Sequence, residues 1–178
     1  MKPIKNLILA AGAFAGAILL SSNANAQSTK LNDAQIAHVA VTANQIDINY
    51  AKIAESKTKN PQVLKFAKTM ATDHSAIIGM ATKLVTKLKV TPEDNAVSKS
   101  LNAQAEKTKK DLKSKKGKAF DKAYVDNEVA YHTAVISAVE TVLIPQAQNA
   151  ELKALLQSAV PLFKEHLEHA KMLQKSLK

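Results

Sequence analysis

The stretch from Val125 to Leu143, VDNEVAYHTAVISAVETVL, is apolar almost all the way round when wound as a helix, yet it carries Glu128 and His132 one turn apart. A helix without a broad polar face belongs in the middle of a helical assembly. Ionisable groups in that position need partners, because a buried polar group left unpaired costs stability. The remainder of the chain must therefore supply both the helices that surround this one and the groups that answer Glu128 and His132.

Three other segments have the required periodicity. From about Asp33 to Thr58, Ile36, Val39, Ala40, Ala43, Ile46, Tyr50 and Ile53 recur at three-and-four spacing, with Asp47 inside the stripe. Asn60-Pro61 caps and opens a second helix running to about Lys89, whose inward face includes Val63, Phe66, Met70, Ile77, Leu84 and His74. Asp73 is turned about 100° from His74, which predicts a solvated side chain. The central helix spans about Lys118 to Ile144, with Phe120, Tyr124, Tyr131, Ala138 and Val142 on one side, and Pro145 is expected to end it. A last helix runs from about Asn149 to Leu177, with Leu152, Leu155, Leu156, Ala159, Phe163 and Leu167 inward. Pro161 predicts a kink or a fresh start there. Between the second and the central helix, residues 93 to 117 are poor in apolar positions and contain the run KTKKDLKSKKGK, which predicts a solvated helix on the outside ending at Gly117.

The fold class that follows is all-α: a four-helix bundle with one additional crossover helix. If that helix spans the bundle, the second helix and the central helix lie parallel and the order becomes up, down, crossover, down, up, which is the topology of ferritin-like folds. Asp47, His74, His132 and His166 each fall within about four residues of the middle of their helix, so at ~1.5 Å per residue they share one depth to within roughly 6 Å. Four groups from four helices then meet in one layer, with Glu128 a turn from His132. Imidazoles and carboxylates collected in a dry interior are the donor set of a transition-metal site, suited to copper, zinc, nickel or iron. The same residues also suit a second reading: Asp47 or Glu128 accepts hydrogen bonds from the histidines, and the layer is structural, in a metal-free envelope interaction or stress protein. His169 is a further ligand or a rim residue, and His38 a boundary residue.

The first 26 residues read as a secretory signal peptide: Lys2 and Lys5, an apolar run from Leu7 to Leu20, and Ala24-Asn25-Ala26 before a cleavage point that leaves Gln27 first. The run is short for a span of roughly 20 residues, and no later stretch reads as a transmembrane segment. The expected product is a periplasmic domain of residues 27–178. It carries no cysteine, so no disulfide holds it. Net charge is +10, and every basic residue is lysine. The absence of arginine, the residue that reads phosphate and guanine bidentately, argues against nucleic acid; an anionic envelope surface is the milder partner for such a coat. No phosphate loop or glycine-flanked serine elbow is visible, and an enzymatic activity is neither indicated nor excluded.

Three stretches, ANQIDINYAKIAESKTKNPQVLKFAKTMATDHS, AFDKAYVDNEVAYHTAVISAVETVLIP and NAELKALLQSAVPLFKEHLEHAKML, resemble a family of exported bacterial domains of unknown function. That family is placed with the ferritin-like superfamily, and its members are often labelled outer membrane proteins. The resemblance implies a ferritin-like bundle and points to Asp47, His74, His132 and His166, without implying an activity. The chain departs from the di-iron pattern of a Glu-x-x-His on each of two helices. Ala71 stands three before His74, and Val129 three before His132. A histidine-richer mononuclear site fits the donors better.

Overall fold

A computed structural model describes residues 30–177, so the expected signal peptide lies outside the described residues. These are helical, with no strand among them: α1 is Asp33–Lys57, α2 Pro61–Leu88, α3 Ala96–Ser114 and α4 Gly117–Ala138. A π-helical turn, Val139–Leu143, and the short α5, Ile144–Gln146, prolong α4; α6 is Ala150–Ser176.

Asparagines start four of these helices. Asn32, Asn60, Asn95 and Asn149 each accept a hydrogen bond from amides of the first turn that have no partner within the helix. Asn32 and Gln35 close a reciprocal capping box, and Pro61 follows Asn60 where its missing amide is no loss.

The path is set by contacts at helix ends. α1 and α2 form a hairpin. The chain then returns to the start of α1, where Glu93 N–H donates to Ala34 O (3.1 Å) and Asn95 Nδ2 to Gln35 O (3.3 Å). At the other end of α1, Lys57 Nζ reaches Lys113 O, so α3 runs the length of α1 and parallel to it. α4 comes back antiparallel to α1: Thr58 binds Asp121 at one end, Tyr131 Oη donates to Ala43 O (2.8 Å) midway, and Leu31 N–H donates to Gln146 Oε1 (2.7 Å) at the other. Consequently α2 and α4 are parallel, joined by the crossover α3. α1 packs on α2, α2 on α6, α6 on α4 and α4 on α1, closing a ring, while α3 lies against α1 and buries only Ser98, Ala105 and Leu112.

Four expectations are corrected. Gly117 does not end the crossover helix, which stops at Ser114; at φ 54° it opens α4, where freedom from a side chain lets the chain reverse. Pro161 starts no new helix, because α6 is unbroken; the carbonyl the ring leaves without a partner belongs to exposed Gln157, where water serves. Pro145 does not end the helical path either. In the π turn Ile144 N–H bonds Val139 O, five residues back, and this wider register accommodates the proline in α5. The wider turn also carries Val142 off the line it would share with Tyr124 in a regular helix, and Val142 is exposed.

Buried apolar residues form two clusters. One, near the α1–α2 hairpin, contains Tyr50, Val63, Phe66, Met70, Phe120 and Tyr124. The other, toward the opposite end, contains Ile36, Val39, Ile77, Ile136, Leu156 and Phe163. Apart from Asp121, which meets Thr58 at the hairpin end, the buried polar residues of the four ring helices fall between the two clusters.

Candidate metal centre

That intervening layer contains Asp47 on α1, His74 on α2, Glu128 and His132 on α4 and His166 on α6, with relative exposures of 0%, 3%, 0%, 1% and 4%. Each occupies a core position of its helix, so the side chains point at one another rather than at solvent. All five expected residues are brought together. His169 is not among them; its ring stands edge-on to Phe66, with centroids 5.0 Å apart. His38 is half-buried beside Asp94.

The three imidazoles form a nearly equilateral triangle, with centroids 5.5 Å apart for His74 and His132, 5.4 Å for His132 and His166 and 5.3 Å for His74 and His166. Three rings on one ion would stand at that spacing. Metal–nitrogen bonds of about 2.0–2.1 Å, with ring centres about 1.1 Å farther out, put centroids roughly 5.2–5.5 Å apart for angles between tetrahedral and trigonal.

Each ring has one nitrogen tied down. Asn44 Nδ2 donates to Ala40 O (2.8 Å), which turns its Oδ1 to accept from His74 Nδ1–H (2.7 Å). His132 Nδ1–H donates to the Glu128 carbonyl (3.1 Å), and His166 Nε2–H donates to Asp73 Oδ2 (2.9 Å). These bonds leave lone pairs on His74 Nε2, His132 Nε2 and His166 Nδ1, all buried and without a hydrogen-bond partner. The trio can offer one ligand atom each with all three within 4.8 Å of one another, and Asp47, Glu128 and His132 form a second such group. Asp47 Oδ2 links the two, at 3.6 Å from His74 Nε2 and 3.7 Å from His132 Nε2. Donors at the corners of a tetrahedron with bonds of about 2.0–2.1 Å are roughly 3.3 Å apart, so Asp47 Oδ2 stands close to the spacing it would need to share an ion with His74 and His132.

Burial keeps the rings neutral. Desolvation, followed by the neighbouring histidines, pushes His74 down to about 2. His132 is lowered to about 4, chiefly by desolvation and then by His166. His166 is lowered by desolvation, against the opposing pull of Asp73. Desolvation raises the Asp47 carboxyl to about 8, eased by a hydrogen bond with Glu128. Glu128 is raised well above the carboxylate range by burial and by the Asp47 charge. Without a cation the acid pair retains protons at neutral pH; a cation would displace them and take up the carboxylate charge.

Two contributors lie outside the expected set. Asn44 stands three before Asp47 and hence on its face, and that offset is the signal that could find it. Asp73, expected in solvent, is only half-exposed because it stands at the seam between α2 and α6, where His166 meets it.

A family model described as Domain of unknown function (DUF4142) matches residues 19–173. No curated protein and no solved structure matches the chain.

Proposed function

The chain belongs to the DUF4142 family of domains of unknown function, and from that premise we propose that it is an exported, ferritin-like helical bundle that binds one transition-metal ion in its core. The ligands are His74 Nε2, His132 Nε2, His166 Nδ1 and an oxygen of Asp47, with Glu128 orienting Asp47 through a shared proton or taking its place. One observation carries this reading. Three histidines from three helices each spend one ring nitrogen on a fixed acceptor and leave the other buried and unpartnered, and the three can each offer a ligand atom within 4.8 Å of the others. A purely structural layer would pair these atoms, because buried polar networks stabilise only when their members are satisfied.

Imidazole and carboxylate donors in a dry cavity suit copper, zinc, nickel or iron. A bound ion would supply Lewis-acid or electron-transfer chemistry. The chain's own part is to orient the rings through Asn44, the Glu128 carbonyl and Asp73, and to exclude bulk water with the apolar clusters above and below. The ferritin-like assignment is supported by parallel α2 and α4 joined through a long crossover. Among the described residues no helix is long and apolar enough to cross a membrane. Export rests on the basic, apolar and small-residue pattern of residues 1–26.

The test is elemental analysis of untagged protein purified from its native compartment, beside a His74→Ala, His132→Ala, His166→Ala triple variant. The expected result is near-stoichiometric copper, zinc, nickel or iron, lost in the variant, with an intact mass beginning at Gln27. Native protein that takes up no metal even from excess ions at neutral pH would replace this reading with the structural layer.

A further inference from the structure

Beside the histidines, a narrow void lies between α1 and α4, bounded by Ala43, Tyr131, Val135 and Phe163, with His74 and His132 in its wall. It gives the centre of a water-sized molecule about 10 Å³ of room, and holding one water takes about 10–15 Å³ of such space. Ala43, Tyr131 and Val135 are half-buried, so this side of the site approaches the surface. The two polar side chains there besides the histidines are already engaged. Tyr131 Oη donates to Ala43 O, and Asn44, also in the lining, uses both ends of its amide on Ala40 and His74. The wall itself therefore offers a polar ligand little. The unpartnered Nε2 atoms of His74 and His132 are what such a molecule would approach, and with an ion between them it would approach the ion.

Resting on the metal reading above, we propose that the ion keeps one coordination position open toward this void, and that this position takes a slim exogenous ligand whose bound end fills the water-sized space, a linear one extending toward the half-buried mouth. Water, hydroxide, dioxygen, peroxide and linear anions belong to that class; ring-shaped or branched molecules do not. The site is then neither a closed structural one nor a binding place for an organic metabolite. His74 and Phe163 stack at 10° with centroids 5.4 Å apart, which fixes the ring that borders the opening and limits its width.

The probes are azide and imidazole, added to mature protein loaded with cobalt(II), its cobalt content fixed by elemental analysis and its visible absorption recorded. Azide is expected to shift the cobalt bands saturably, and imidazole at equal concentration to leave them unchanged. Ala43→Leu and Val135→Phe, which narrow the mouth without touching a donor, are expected to retain cobalt and to weaken the azide response by about tenfold or more. Two variants on different helices are used so that one folding poorly does not decide the result. Full cobalt with no azide response, an imidazole response as strong as azide's, or undiminished azide binding in both cobalt-loaded variants overturns the open position alone. Failure to take up cobalt overturns the metal reading and this proposal with it.

Discussion

Asn44 uses a single amide to choose which nitrogen of His74 carries the proton. Its Nδ2 is held by Ala40 O, so its oxygen must face His74 Nδ1, and the lone pair is left on Nε2 toward the site. Removing that acceptor frees the ring to turn and to change tautomer. Asn44→Ala is expected to weaken metal binding by about 10–100-fold, the usual effect of losing an outer partner of a ligand. Asn44→Asp, which keeps an acceptor for His74 Nδ1 but loses the donor to Ala40 O, is expected to restore only part of it. A chelator competition titration checks both, and equal melting temperatures of the metal-free variants would separate positioning from folding. At this scale the sequence was informative wherever a polar group interrupted an apolar stripe, as Asp47, His74, Glu128, His132 and His166 do. It was not informative for Asp73, whose partner His166 is 93 residues away. A carboxylate at a helix seam has the same local spacing as one in solvent.

Among the elements, the π turn Val139–Leu143 is where regular periodicity fails. It holds an extra residue within one turn just before Pro145, and so separates the part of α4 that carries Glu128 and His132 from the proline. Deleting exposed Thr141 should collapse the turn to ordinary helix and leave Glu128 and His132 in register. Deleting exposed Thr133 instead would rotate the α4 core positions that follow it by about 100°. Thermal melts followed by circular dichroism are expected to show a cooperative transition for the first variant and its loss for the second. The Asn60-Pro61 cap and the four long helices were readable because capping and periodicity are local chemistry. The reversal at Gly117 and the continuity through Pro161 were not, since each depends on which carbonyls neighbouring elements and solvent can satisfy.

Across the molecule, the polar layer makes metal-free stability depend on pH in two opposed ways. His74 and His132, depressed from 6.5 to about 2 and about 4, stay neutral when the unfolded chain would take up protons. Their contribution is present above pH 6.5 and is lost as pH falls through the folded values. Asp47, raised from 3.8 to about 8, behaves inversely: its contribution is present below 3.8 and is lost as pH rises toward 8. Above 6.5 only the acid trend remains, so the melting temperature of metal-free protein is expected to fall between pH 6.5 and 8. Metal-loaded protein should show no such fall, because ligation favours deprotonated donors, and Asp47→Asn combined with Glu128→Gln should flatten the metal-free curve. Calorimetry across that range decides the matter.

The layer draws on every helix of the ring, from Asp47 near the start of the described chain to His166 near its end. No shorter piece of the chain holds the full donor set, so the donors assemble only once α6 has docked. Whatever ion the layer accepts is therefore drawn from the compartment in which the last helix settles. For a chain threaded unfolded across a membrane, the order of events, rather than the relative affinities of competing ions, would select the metal.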